Sequence, residues 1–173
     1  MKRILAFGLI LCLLIGCFGC GGKRGLEFYV LQEGSLKGNE SERDLLALAK
    51  KEGRLAFTQE DLEGYLWAEH EIRLKAQPAL GSVSDGGSRI FQAKGGDRFL
   101  LVLHGKLLYS GGFDSGAGSA QVQISPFIKD TSSQSFAIAF SSKYSEGADP
   151  RASKKLYNYL AECQLLASML NEK

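Results

Sequence analysis

Cys17 and Cys20 stand as a C-x-x-C pair inside "LLIGCFGCGG", residues 13–22. That spacing serves a redox dithiol, half of a zinc site, or a cysteine that carries lipid. A zinc site needs a second such pair or a histidine cluster, and the chain holds two histidines, His70 and His104. A redox pair wants a strand before it and a helix after it. Here an apolar leader precedes and Gly21-Gly22 follows. His70 falls in an alternating stretch beside Glu69 and Glu71, which point to the opposite face. His104 ends an apolar run at a turn. These placements suit surface and turn residues, so no metal and no cofactor is expected.

Nucleophilic chemistry fares no better. No serine stands in a G-x-S-x-G elbow. Asp85-Gly86-Gly87-Ser88 and Ser110-Gly111-Gly112 read as turns. "GGFDSGAGSAQ", residues 111–121, has the glycines of a phosphate loop but lacks its Lys-Ser/Thr ending, and a strand rather than a helix follows. It reads as a hairpin loop whose backbone N–H groups can still approach a ligand. Trp67, Tyr65 and Phe57 can line a groove or anchor a short helix to a sheet, and anchoring is the commoner use. No catalytic residue is expected.

The segment around Cys17 explains the pair better. Lys2 and Arg3 form a basic start, and Ile4 to Gly16 is apolar or small at every position. Such a run suits a signal peptide and falls short of the ~20 residues that span a bilayer, which leaves a transmembrane anchor as the second choice. Leu14-Ile15-Gly16-Cys17 then closes it. In these residues the chain resembles a bacterial lipoprotein precursor. The resemblance implies that the Cys17 thiol receives a diacylglyceryl group and that residues 1–16 are removed as a signal peptide. It places the domain outside the cytoplasm, on the cell membrane or outer membrane. Cys20 follows Phe18-Gly19, a poorer match to the motif.

Loss of residues 1–16 would leave 157 residues, enough for one domain at 26–173 behind a lipidated tether at 17–25. It also removes Lys2 and Arg3, so 19 basic side chains would face 19 acidic ones. With no basic stripe and no stacking motif, nothing points to nucleic acid. Cys20 and Cys163 can pair in an oxidising envelope, but burial of Cys163 on a helix is the simpler expectation.

The elements that would carry these residues can be read from periodicity. "LEFYVLQ", residues 26–32, reads as a buried strand. Ser41 caps a helix to Lys51, with Leu45, Leu46, Leu48 and Ala49 on its inner side. Thr58 and Asp61 form a capping box, with Phe57 and Leu62 placed as a staple, so a second short helix is expected there. Residues 69–75 alternate as a half-buried strand. Phe99 to Leu103 is apolar throughout, as in a strand covered on both faces, and turns at His104-Gly105 or Gly105-Lys106 into a hairpin partner, Leu107 to Phe113. Residues 120–125 and 135–140 read as further strands, the latter with Ala137 and Ala139 small enough to sit under a helix. Asp149-Pro150 starts a long C-terminal helix whose Leu156, Tyr159, Leu160, Cys163, Leu166, Ala167 and Leu170 share a face. The expected fold class is α+β: a mainly antiparallel sheet with that long helix packed on it and one or two short helices near the N-terminus.

Phe57-Thr58-x-x-Asp61-Leu62-x-x-Tyr65-x-Trp67-x-x-His70-x-Ile72-x-Leu74, with Tyr109-x-Gly111-x-Phe113, also resembles a family of small extracytoplasmic lipoproteins without an established activity. The resemblance implies a location and a fold and leaves the chemistry open; the Leu14-Ile15-Gly16-Cys17 motif, the short tether and the lack of a catalytic constellation lead to the expectation of a non-catalytic binding or envelope-associated accessory module. Its expected partners are the membrane, through the lipid, and an envelope protein or peptide. A small lipid-anchored hydrolase and a structural envelope assembly factor are the alternatives.

Overall fold

A computed structural model describes residues 25–37, 40–75, 93–114, 125–128, 135–144 and 147–167. Eight strands form one mixed sheet: β1 (Leu26–Leu31), β2 (Arg54–Thr58), β3 (Leu62–Leu66), β4 (Glu71–Leu74), β5 (Arg98–Leu103), β6 (Lys106–Phe113), β7 (Phe127–Ile128) and β8 (Ser135–Ala139). Their spatial order is β2-β1-β5-β6-β7-β8-β4-β3. Every pairing is antiparallel except β6 with β7. The two outermost strands, β2 and β3, are consecutive in the chain and joined by one 3-10 turn, Gln59–Asp61. The sheet therefore curls until it nearly closes.

Alternation decides which side chains fall inside. Leu26, Phe28 and Val30 of β1 and Phe99, Leu101 and Leu103 of β5 join Tyr65, Ile72, Phe113, Phe136 and Ile138 in the inner cluster. Phe28 stacks between Phe57 and Phe99, with ring centroids 4.6 and 5.3 Å away. The opposite faces of β1 and β5 bury Leu31, Leu100 and Val102 beneath helix α1 (Glu42–Lys51), which contributes Leu45 and Ala49. The uninterrupted apolar run at Phe99–Leu103 is thus covered on both sides. Its hairpin turns through His104 (φ 51°) and Gly105 (φ 74°), the two positive φ values of a type I′ turn. Gly111 is required inside β6, because a Cβ there would collide with the Pro126 carbonyl and the Phe99 ring.

The expected α+β arrangement with a long C-terminal helix is overturned. The described chain is mainly this nearly closed mixed sheet with two helices, α1 and a nine-residue α2 (Lys154–Glu162). Asp149 and Pro150 do cap a turn, but a separate 3-10 turn, Pro150–Ala152, and Ser153 then caps α2. The helix ends in a Schellman motif: Leu165 N–H donates to Leu160 O and Gln164 N–H to Ala161 O. Gln164 takes φ 57°, a left-handed residue that costs about 1–2 kcal/mol outside glycine. The chain then runs beside β3, where Tyr65 N–H donates to Leu165 O (2.7 Å) and Ala167 N–H to Tyr65 O (3.0 Å). Tyr65 is fully buried, and leaving its two backbone groups unpaired would cost about 1–3 kcal/mol each. Edge pairing outweighs helix propensity.

Three smaller expectations also fail. The Thr58–Asp61 capping box forms, with Thr58 N–H donating to Asp61 Oδ2 at 2.7 Å, but it closes one 3-10 turn before β3 begins, so no second short helix forms there. Ala137 is exposed, so none of the described helices covers that face of β8 at this position. Ser110-Gly111-Gly112 lies within β6 and not in a turn. The expected strand at 120–125 lies mostly outside the described residues.

Candidate functional site

The polar groups that converge inside the sheet come from four places: Tyr65 on β3, His70 in the β3–β4 turn, Tyr109 on β6, and Asp149 and Arg151 before α2. His70 is not a strand residue. It occupies a left-handed position (φ 50°) in the turn at residues 67–70, where its N–H donates to Trp67 O (3.4 Å). Its carbonyl accepts from Ile138 N–H of β8 (3.0 Å), which fixes the turn against the sheet. The turn delivers the imidazole to Tyr65, with Nδ1 and the phenol oxygen 3.0 Å apart. Trp67 packs edge-on against His70 (5.4 Å) and against Tyr157 of α2 (4.9 Å).

Arg151 holds the neighbouring end of β8. Its Nε donates to both carboxylate oxygens of Asp149 at 2.9 and 3.0 Å, and Nη2 to Oδ2 at 2.5 Å. Nη1 donates to Ile138 O at 2.6 Å, and the guanidinium sits 5.5 Å from the Phe140 ring centroid. Ile138 thereby ties the two halves together: its N–H serves the His70 turn and its carbonyl serves Arg151.

The electrostatics favour uncharged rings beside a fixed ion pair. Burial, then the Arg151 charge, hold the His70 pKa below its ordinary value, with Asp149 and Glu69 opposing them. Hydrogen bonding from Arg151 lowers the Asp149 pKa. Burial raises both phenols, Tyr65 and Tyr109. The Tyr65 and Tyr109 hydroxyls are near enough to influence each other's ionisation, yet the buried Tyr109 oxygen makes no hydrogen bond of good geometry. At neutral pH this is a protonated phenol bonded to a neutral imidazole. The phenol occupies the imidazole nitrogen that faces it.

The two histidines do not meet. His104 lies in a different turn, between β5 and β6, with its ring 5.1 Å from Tyr159. Among the described residues no three histidine, cysteine or acidic side chains cluster as metal ligands. Phe57 and Tyr65 belong to the inner cluster, with Trp67 packed on it, so these aromatics anchor the β2–β3 corner as core residues. Asp85–Ser88 and most of the glycine run at 111–121 lie outside the described residues, as do Cys17 and Cys20. Cys163 is half-buried and disulfide-bonded rather than a free core thiol, and its partner lies outside the described residues. Nothing in the sequence marks Arg151 as part of a site beyond its place two residues after an N-cap aspartate, and Tyr109 stands out there only as the first residue of Tyr109-x-Gly111-x-Phe113.

No family model, curated protein or solved structure matches this chain. Among the described residues no helix is long and apolar enough to cross a membrane.

Proposed function

We propose that the protein is a lipid-anchored extracytoplasmic module that works by binding an envelope protein or peptide, without catalysis of its own. The observation that carries this reading is the leader: Lys2-Arg3, the apolar run from Ile4, and Leu14-Ile15-Gly16-Cys17 at its close. Two acyl chains on Cys17 give stable membrane attachment where one gives only marginal binding. The disulfide at Cys163 fits an oxidising compartment outside the cytoplasm. The His70 turn, whose carbonyl accepts from Ile138 N–H, and the Asp149–Arg151 pair, whose guanidinium donates to Ile138 O, support a scaffolding role, since each fixes backbone at β8. Hydrolysis would need His70 bonded to a carboxylate or a nucleophile, and its ring hydrogen bond goes to a buried phenol instead.

Metabolic labelling tests the anchor. Radiolabelled palmitate should enter the wild-type protein, and Cys17→Ser should abolish labelling and release the domain from membranes. A Cys17→Ser protein that stays membrane-bound, with no label in the wild type, would defeat the reading.

A further inference from the structure

We infer that the β5–β6 turn and the end of α1 beside it form the side of the domain that rests on an anionic lipid bilayer, with Lys50 and Lys106 against the headgroups. The inference rests on the lipid-anchor reading. The chain enters the described fold at Gly25, whose carbonyl accepts from His104 N–H at 3.2 Å. The entry point is thus bonded to this turn. Lys50 Nζ of α1 reaches the same turn and donates to Gly105 O at 3.5 Å. Lys106 follows as the first residue of β6. Lys50, His104 and Lys106 are all exposed.

The charges here are free to meet an outside partner. Among the described residues neither Lys50 nor Lys106 pairs with a carboxylate. Of the acidic residues on the neighbouring elements, Glu52 pairs with Lys51 at 3.0 Å and Glu27 turns a carboxylate oxygen inward. Glu60 is exposed, but Lys75 stands over it, with Nζ donating to its carbonyl at 2.6 Å. The turn also lacks the exposed apolar anchor that centres a protein interface: among the described residues the exposed large apolar side chain is Tyr157 of α2. Two unpaired ammonium groups without such an anchor suit a surface of lipid phosphates better than a protein.

Chain length selects the same side. Eight residues from Cys17 to Gly25 reach at most about 28 Å. A domain of this size is about 40 Å across. The tether cannot pass around the domain, so the Gly25 side stays toward the bilayer. Once Lys2 and Arg3 leave, 19 basic side chains face 19 acidic ones, so any attraction is local. Each lysine near an anionic surface strengthens association about five-fold and acts within a Debye length, about 10 Å at 0.1 M salt. Lys94 stands before the other end of β5, and the six residues Arg98–Leu103 separate the two ends by about 17 Å. That end is held away from the headgroups.

The test uses the wild-type protein, extracted in detergent from the cells that make it and reconstituted into vesicles. One set is phosphatidylcholine alone, and the other contains about one-third phosphatidylglycerol. Floated vesicles are acetylated with a membrane-impermeant lysine reagent, and the modified peptides are read by mass spectrometry. Lys50 and Lys106 should react several-fold more slowly on anionic than on neutral vesicles, with Lys94 unchanged. Salt at 1 M, where the Debye length is about 3 Å, should erase the difference. Lys106→Glu should restore the reactivity of Lys50, and Lys94→Glu should not. Flotation with both vesicles but equal reactivity of Lys50 and Lys106 on each would overturn the seating and spare the anchor. Flotation with neither would overturn the anchor, and the seating with it.

Discussion

The Asp149–Arg151 pair gives the sharpest quantitative test of the site. The Arg151 side chain is 15% exposed and that of Asp149 28%, so the pair is mostly but not fully withdrawn from water. Asp149→Ala removes the partner and strands a guanidinium whose other ties are to Ile138 O and the Phe140 ring. Breaking a buried pair costs about 3–5 kcal/mol, and the partial exposure here argues for the lower end or below, about 2–3 kcal/mol. The lost cap on Arg151 N–H adds about 1 kcal/mol. Arg151→Met should cost about 2 kcal/mol, mostly through the Ile138 carbonyl. The double variant should fall short of the sum by about 1–2 kcal/mol, since each single change already removes the pair. Urea unfolding followed by fluorescence reads this well. Trp67 is the only tryptophan in the chain and packs on His70 and Tyr157, next to the pair's own anchorage at β8. The pH dependence has its origin in the same geometry. Asp149 has a lowered pKa in the fold, so its contribution is complete above the ordinary aspartate value of 3.8 and is lost as pH falls through the folded value. Additive single effects at pH 7, or an unchanged urea midpoint for Asp149→Ala, would refute the reasoning.

Neighbouring residues carry their own expected outcomes. Tyr109→Phe should leave stability unchanged or raise it slightly in urea titrations, because its buried oxygen makes no hydrogen bond of good geometry, whereas Tyr65→Phe should cost about 1 kcal/mol by removing the partner of His70 Nδ1. The folded His70 pKa lies below its ordinary 6.5, so the unfolded chain binds the extra proton first. Its contribution to stability is therefore full above that value and declines as pH falls toward the folded pKa. An NMR titration of the His70 ring should show a midpoint below 6.5, and His70→Gln should flatten the stability profile in that window. Gln164→Gly should raise the urea midpoint by the equivalent of about 1 kcal/mol, since glycine tolerates the left-handed closing residue of α2.

How far the sequence disclosed this fold depended on how local each cause was. The β5–β6 hairpin was legible because Phe99–Leu103 is apolar on both faces and Gly105 comes after His104 at the turn. Helix α1 was legible because Ser41, Asp44 and the spacing of Leu45 and Ala49 all act within one helix. The Thr58–Asp61 box was also local and did form. A capping box cannot encode how long its helix runs, and here Leu62–Leu66 extends at once to pair with β4. The C-terminal helix was overread for the same reason. Residues 163–167 have good helical spacing, but the buried backbone of Tyr65, about a hundred positions earlier, competes for them and prevails. The site suffered most. Alternation places His70 in a strand, whereas it closes a turn at positive φ and its carbonyl bonds to Ile138, a residue far away in the chain. Tyr109 and Arg151 are ordinary residues until the sheet curls and brings β6, β3 and the segment before α2 to one place.

That curling also sets the order in which the protein can be completed. The open edge of β3 receives its partner from residues 165–167, which come after all eight described strands. A chain emerging from its N-terminus can pair β1 with β2, and later β5 with β6, while β3 still displays unpaired backbone. The interval between the appearance of β3 and that of Ala167 spans about a hundred residues of synthesis, several seconds at ordinary elongation rates. During that time the exposed edge is a template for pairing with another chain. Loss of the last residues that reach β3 should therefore tell first on solubility during biogenesis, before it tells on the finished fold.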